Sequence, residues 1–206
     1  MAQAPINGPP VDTFALCPNL LFRLVVGLLG ITVVFLWAAP KKHLLSSWLI
    51  CDSMLTLMLQ PNVARQMVAA LERAGQNEVG GVLMAEHVDV NEFTIAELTV
   101  HKRGALASFV RRIEDALGHL TSFFIRTNRD YRRFNYIGEW HSHPIFELEP
   151  SSKDDASMME VLLDPAVGAR FVVLVLVKLD ARGCLLANAY LYRYGIFLAA
   201  ATDPTL

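Results

Sequence analysis

Two histidines and an aspartate between residues 141 and 154 have the types and the spacing of a metal-binding set. His141 and His143 are two residues apart, so on an extended segment both imidazoles point to the same face. Asp154 follows eleven residues after His143 and would supply an oxygen ligand. Two nitrogen ligands and one oxygen ligand leave one position of a tetrahedral zinc ion open for water, which is typical of catalytic sites. The pattern therefore predicts one Zn²⁺ ion and hydrolytic chemistry.

Three further residues complete a recognisable motif. Pro144 directly follows the second histidine, and Ser151 lies three residues before Asp154. Upstream, Glu78 precedes the glycine-rich and aliphatic segment 79–84. From about Leu55 to Tyr194 the chain resembles the JAMM (MPN-plus, Mov34/PAD-1-like) zinc metallopeptidases. The resemblance implies an α/β fold of the cytidine-deaminase-like type, in which a mixed sheet is flanked by helices.

The resemblance also assigns roles to particular residues. It implies that His141, His143 and Asp154 hold the zinc ion. It makes Glu78 the general base, which accepts a proton from the attacking water and passes it to the departing amine. Ser151 would donate a hydrogen bond to the water or to the developing oxyanion, and its position is equally suited to an N-cap.

Other carboxylates and imidazoles in the chain could compete for a metal ion. The family pattern assigns no role to Glu139, Glu147, Glu149 or Asp155. His87, His101 and His119 are interpreted as surface or core residues. Trp140 is expected to pack beneath the ligands.

Members of this family remove ubiquitin or ubiquitin-like modifiers, so the resemblance implies an isopeptidase that acts on a ubiquitin-like protein or its conjugates. The segment 136–140 is most similar to bacterial members that work beside E1/E2-like conjugation enzymes in antiphage systems. Two alternatives remain open. One is a non-catalytic MPN scaffold, although such scaffolds usually lack a ligand. The other is a zinc hydrolase of another amide, such as a sulfur-carrier adduct.

Charge and cysteine usage exclude other classes of function. The net charge is -2 and the pI is about 6.3, so no partnership with nucleic acid is expected. The densest basic group is Arg126, Arg129, Arg132 and Arg133. It is interpreted as a solvated helix end and loop, with contact to an acidic partner as the alternative. The cysteines, at positions 17, 51 and 184, are too far apart to predict a disulfide framework or a Cys-x-x-Cys site.

The N-terminal part of the chain is unlike the rest. Residues 1–18 are rich in proline and small residues and predict an unstructured leader. Residues 20–39 are almost wholly apolar, with Arg23 as their one charge, and about 20 such residues can span a bilayer. They predict a transmembrane or apolar anchor helix, followed by a connector at 40–53.

Lys41 and Lys42 follow the apolar segment. By the positive-inside rule they predict a cytoplasmic catalytic domain anchored to the inner membrane by a single N-terminal span. The alternatives are a buried or partner-binding apolar helix, and a start site placed too early, with Met54 as the true start.

The remaining chain, 54–200, predicts the catalytic domain that positions the motif. Alternating and continuous apolar runs predict strands, and apolar residues at helical spacing predict amphipathic helices. The predicted strands are 55–60, 78–86, 93–101, 136–143, 171–177 and 185–194. The predicted helices are 61–74, 106–126 and 151–163. In this arrangement one strand delivers both histidines, and the first turn of the last helix delivers Asp154.

Overall fold

The computed structural model describes residues 15–16, 22–27, 30–33, 55–101 and 109–193. Within them lie nine strands and three helices. The strands are β1 (Ala15–Leu16), β2 (Phe22–Gly27), β3 (Gly30–Val33), β4 (Leu55–Leu59), β5 (Gly80–Asp89), β6 (Glu92–Leu98), β7 (Phe134–Ser142), β8 (Phe171–Leu179) and β9 (Leu185–Arg193). The helices are α1 (Pro61–Ala74), α2 (Phe109–Arg126) and α3 (Ser152–Leu163).

The strands form one mixed sheet with the order β1-β9-β8-β7-β5-β6-β4-β2-β3. Strands β4 and β6 are parallel, as are β7 and β8, and the other neighbouring pairs are antiparallel. The predicted mixed sheet with flanking helices is therefore confirmed.

Helices cover both faces of the sheet, and the alternation of side chains along β8 divides its residues between the two layers. Odd-numbered residues from Val173 to Val177 join the core beneath α1. Even-numbered residues from Val172 to Leu176 join the core beneath α3. Helix α2 packs against β5 on the same side as α3. Because β8 is buried on both faces, its sequence is a continuous apolar run.

The prediction of a membrane-spanning helix at 20–39 is wrong. Phe22–Gly27 and Gly30–Val33 are strands, and β2 pairs antiparallel with both β3 and β4. Among the described residues, no helix is long and apolar enough to cross a membrane. A continuous apolar run is compatible with either a buried strand or a helix, and the β-branched residues and glycines of this segment favour strands.

Other predictions for the termini fall largely outside the described residues. The leader at 1–18 does so except for Ala15–Leu16, a short strand that pairs with β9. The connector at 40–53 lies wholly outside, as do residues 54 and 200, the predicted domain boundaries. These boundaries stay predictions.

Two glycines at the start of β5 allow neighbouring strands to approach closely. A Cβ atom on Gly80 would lie 2.4 Å from the Trp140 carbonyl oxygen, and one on Gly81 would lie 2.0 Å from the Thr99 carbonyl oxygen. Real Cβ atoms do not tolerate such distances to backbone, so only glycine fits without displacing a strand.

We expect Gly81→Ala to destabilise the protein by about 1–3 kcal/mol, because the new methyl group must displace the backbone of Thr99, the residue that follows β6. Gly118→Ala is the matched control: Gly118 lies in α2 with nothing near its Cβ position, so alanine should stabilise the helix by about 0.5–1 kcal/mol. Chemical unfolding of both variants measures the two effects. Equal stability of Gly81→Ala and the wild type would contradict the close approach.

Candidate metal centre

The C-terminal end of β7 presents two imidazoles on one face of the sheet. His141 and His143 alternate with Trp140 and Ser142, which point to the other face. Trp140 is 1% exposed, lies in the core beneath α1, and donates a hydrogen bond from Nε1 to the Thr99 carbonyl oxygen at 2.9 Å. Trp140 thus fixes β7 from the face of the sheet opposite to the histidines.

The first turn of α3 holds Asp154 in a fixed orientation. Ser151 is the N-cap, and its hydroxyl and backbone N–H donate to Asp154 Oδ2 at 2.6 and 2.8 Å. The Ser151 Oγ atom in turn accepts a hydrogen bond from the Asp154 backbone N–H at 3.3 Å. This reciprocal capping box is the arrangement expected for a helix N-terminus. It engages Oδ2, which also lies 4.0 Å from His143 Nε2, and leaves Oδ1 directed toward His141.

The three side chains converge on one point. The His141 and His143 Nε2 atoms are 3.0 Å apart, and His141 Nε2 is 3.4 Å from Asp154 Oδ1. One ligand atom from each residue lies within 4.8 Å of the other two, so the group could hold a metal ion. All three side chains are largely buried, with 8–13% of their surface exposed.

A main-chain carbonyl determines the tautomer of His143. Its Nδ1 atom is 2.7 Å from the Glu147 carbonyl oxygen, which can only accept. Nδ1 therefore carries the proton, and in the neutral ring the Nε2 lone pair points toward His141 and Asp154. Such a partner on the far nitrogen is typical of histidines that bind metals.

The loop that supplies this carbonyl is held at its C-terminal end. Leu148 is buried, and its carbonyl oxygen accepts hydrogen bonds from Asn188 Nδ2 at 3.1 Å and from the Tyr190 hydroxyl. Lys178 Nζ donates to the Phe146 carbonyl oxygen at 3.2 Å. These contacts limit how far the carbonyl beside His143 can move.

The register between β5 and β7 sets the position of Glu78. Gly80 pairs with His141, and the next residues outward, Val79 and Ser142, are joined by two hydrogen bonds. Val79 N–H donates to Ser142 Oγ at 2.9 Å, and Ser142 N–H donates to the Val79 carbonyl oxygen at 2.8 Å. Continued by one more residue, this register would place the half-buried Glu78 opposite His143. Opposite residues of an antiparallel pair share a face, so Glu78 would then lie on the side of the imidazoles.

Electrostatics keep the Asp154 carboxyl group ionised. Burial by itself raises the pKa of Asp154, because it penalises the charged form. The hydrogen bonds from Ser151 and the charges of His141 and His143 together outweigh burial and hold the pKa below its ordinary value of 3.8. A metal ligand must be deprotonated, so this environment suits Asp154 to the role.

The structure separates the competing acidic residues from the converging group. Asp155 accepts a hydrogen bond from the Tyr192 hydroxyl at 2.6 Å. Glu147 is 83% exposed at its side chain and pairs with Lys178 at 3.3 Å. Glu149 is exposed, and Glu139 is buried on β7. None of these carboxylates belongs to the group formed by His141, His143 and Asp154.

The other histidines also lie apart from this group. His87 and His119 are exposed, and His101 Nε2 is 2.7 Å from Thr99 Oγ1. The contacts of Ser142 and of the Glu147 carbonyl were not predicted from the sequence. Ser142 stands between the two histidines and could have been singled out, but a backbone carbonyl leaves no signal in residue types.

Comparisons with known proteins agree with the geometry. Residues 60–186 match the family described as prokaryotic homologs of the JAB domain. The "CD-NTase/cGAS isopeptidase" of Enterobacter hormaechei subsp. hoffmannii (strain UCI 50) is 30% identical over 107 residues. That match spans 52% of this chain and 58% of the relative's length.

Two solution structures are similar at 18% sequence identity. One, from Desulfitobacterium hafniense, has a TM-score of 0.43, and the match covers 66% of this chain and 84% of that protein. The other, from Salinibacter ruber, has a TM-score of 0.39, with coverage of 71% and 92%.

We expect the purified protein to bind one equivalent of a divalent cation such as Zn²⁺ and to unfold at a higher temperature when it does. A ligand at 100 times its Kd adds about 2.7 kcal/mol to the free energy of unfolding. Asp154→Asn and His141→Ala should lose both effects, whereas His119→Ala, an exposed histidine on α2, should keep them. Metal analysis after gel filtration and thermal unfolding are the measurements. Full metal content in Asp154→Asn would contradict the assignment.

Proposed function

The chain belongs to the family of prokaryotic homologs of the JAB domain, and from this premise we propose that it is a zinc-dependent isopeptidase. Its substrate is the amide bond at the C-terminus of a ubiquitin-like modifier. The observation that carries the proposal is the convergence of His141, His143 and Asp154. The name of the Enterobacter relative supports an isopeptide bond as the target.

The donor set fits zinc. Zinc accepts imidazole nitrogen and carboxylate oxygen together, and three protein ligands leave a position for a reacting group. His141 and His143 would bind it through Nε2, and Asp154 through Oδ1, the oxygen that Ser151 leaves available. The ion would act as a Lewis acid that lowers the pKa of water toward 7.

Glu78 is the proposed proton carrier. Its carboxylate accepts a proton from the attacking water, and the same group then delivers the proton to the departing amine. A carboxylate that faces the ligands without belonging to them is suited to this task, because it does not compete for the metal. Ser142 binds both the N–H and the carbonyl of Val79, and these hydrogen bonds would restrain the adjacent Glu78 close to the proposed ligands.

The hydrogen bonds of Ser151 indicate which of its two predicted roles it has. Its hydroxyl proton is directed to Asp154 Oδ2, so in this arrangement it orients a ligand. To stabilise an oxyanion as well, the hydroxyl would have to turn away from Asp154. The capping role is therefore favoured, and a direct catalytic contact of Ser151 stays a prediction.

The alternatives differ in substrate and in activity. A non-catalytic scaffold has no need of three converging ligand atoms and a facing carboxylate, so this geometry favours an enzyme. A different amide, such as a sulfur-carrier adduct, would use the same residues, because the fold does not select the substrate. Partnership with E1/E2-like enzymes and a role in antiphage defence stay predictions.

We expect Glu78→Gln to abolish turnover while zinc binding is retained. An amide and a carboxylate have nearly the same shape, but only the carboxylate can accept and release a proton. General acid–base catalysis of this kind contributes about 10²- to 10⁴-fold to the rate. The measurement compares conjugates of a tagged candidate modifier in cells that express the wild type or the variant. High-mass conjugates should accumulate only with the variant.

Glu72→Gln is the matched control, because Glu72 is an exposed carboxylate on α1. It should leave the conjugate pattern unchanged. An identical pattern in cells with the wild type and with zinc-loaded Glu78→Gln would argue for another amide substrate or for a scaffold.

We expect Ser151→Ala to lower the free energy of unfolding by about 1 kcal/mol through loss of the N-cap, and to weaken zinc binding. Ser152→Ala, a change at the neighbouring exposed serine, should do neither. At saturating zinc, Ser151→Ala should retain more activity than Glu78→Gln, since the metal itself then holds Asp154. A loss as large as that of Glu78→Gln at full zinc occupancy would instead indicate a direct oxyanion contact.

A further inference from the structure

The arginines of segment 126–133 differ in whether their side chains form ion pairs within the fold. Arg126 binds Glu97 through two hydrogen bonds, at 2.6 and 2.8 Å, and Arg133 pairs with Glu86. Arg132 is exposed and forms no ion pair or side-chain hydrogen bond with the described part of the chain.

The parallel pairing of β7 and β8 brings a second such arginine to the same edge of the sheet. Loops that precede parallel neighbours meet at one edge, so the segments 127–133 and 164–170 lie together. Arg170, at the end of the second loop, is also exposed and has no ionic partner among the described residues. Arg132 and Arg170 line one cavity of about 690 Å³.

This cavity is remote from the metal-binding group. It lies at the N-terminal end of β7, whereas His141 and His143 lie at the C-terminal end. His141 lies four residues beyond Ile137, the last residue of β7 that lines the cavity, which is roughly 13 Å along the strand. A ligand in the cavity would therefore not touch the proposed zinc site.

Aromatic rings form much of the cavity wall. His87 stacks on Phe93 with ring centroids 4.7 Å apart, and Phe93 meets Phe171 edge-on at 5.4 Å. Tyr131 lines the same cavity and is 53% exposed. Flat, partly exposed rings of this kind offer a stacking surface for a planar ligand.

The charged side chains that line the cavity are all basic. Three arginines and one histidine contribute to it, and no aspartate or glutamate does. The whole chain has more acidic than basic residues, 20 against 18, so the lining departs from the composition of the protein. A guanidinium group can form two parallel hydrogen bonds to phosphate oxygens. Arg133 already pairs with Glu86, so Arg132 and Arg170 are the lining arginines available for such bonds.

We propose that this cavity binds a nucleoside phosphate, with its base against the rings of His87, Phe93 and Tyr131 and its phosphate on Arg132 and Arg170. The size is suitable, because cavities for small ligands have volumes of about 300–1,000 Å³. A free nucleotide fits better than a nucleic acid, since the basic residues line a compact cavity and the chain carries a net charge of -2.

The test is titration of the full-length protein into fluorescently labelled ADP, followed by anisotropy, at low and at physiological salt. We expect saturable binding that weakens with salt. In Arg132→Gln/Arg170→Gln the affinity should fall roughly tenfold or more, because charge-assisted hydrogen bonds to phosphate are lost. His87→Ala should weaken binding by removing one ring. Asp154→Asn should bind as the wild type does, since the metal-binding group lies elsewhere.

Arg129→Gln is the matched control, because Arg129 lies in the same loop and is exposed but does not line the cavity. It should bind labelled ADP with unchanged affinity. Three results would overturn the proposal: no binding at millimolar protein, equal affinity in the double variant and the wild type, or displacement by inorganic phosphate as effective as by unlabelled ADP. The last result would show that only the anion is recognised.

Discussion

The register between β5 and β7 is the constraint on which the arrangement of the candidate site depends. It aligns Gly80 with His141 and joins Val79 to Ser142. Continued by one residue, it would place the proposed base Glu78 on the face of both imidazoles. A slip by one residue would turn every side chain of the slipped strand to the other face of the sheet. The buried indole of Trp140 opposes such a slip, since it would have to leave the core behind β7.

The third proposed ligand, Asp154, comes from a helix and is held by a helix cap. Helix α3 begins with a capping box that uses Asp154 as its own N3 residue, so the same carboxylate completes the helix end and faces the histidines. The two carboxylate oxygens have different contacts: Oδ2 accepts hydrogen bonds from Ser151, and Oδ1 is the oxygen nearest to His141. Folding of the helix and orientation of the ligand are thereby a single event.

Short-range patterns predicted much of this arrangement. The two-residue spacing of the histidines and the Ser-x-x-Asp step are local, and the residues they concern come together in the structure. Apolar composition led to the wrong prediction of a membrane helix at 20–39, because buried strands and membrane helices are both rich in apolar residues. Contacts between distant segments, such as the shared cavity of Arg132 and Arg170, follow from sheet order, which a single sequence does not display.

The hydrogen bond from His143 to a main-chain oxygen has a consequence for how this sequence can diverge. Since the acceptor is the carbonyl of residue 147, any side chain at that position leaves it in place. What cannot change freely is the number of residues between His143 and the buried Leu148, because an insertion or deletion would carry the carbonyl away from the ring. The loop can therefore drift in composition, and with it the surface offered to a substrate, while its length is restrained by the orientation of one imidazole.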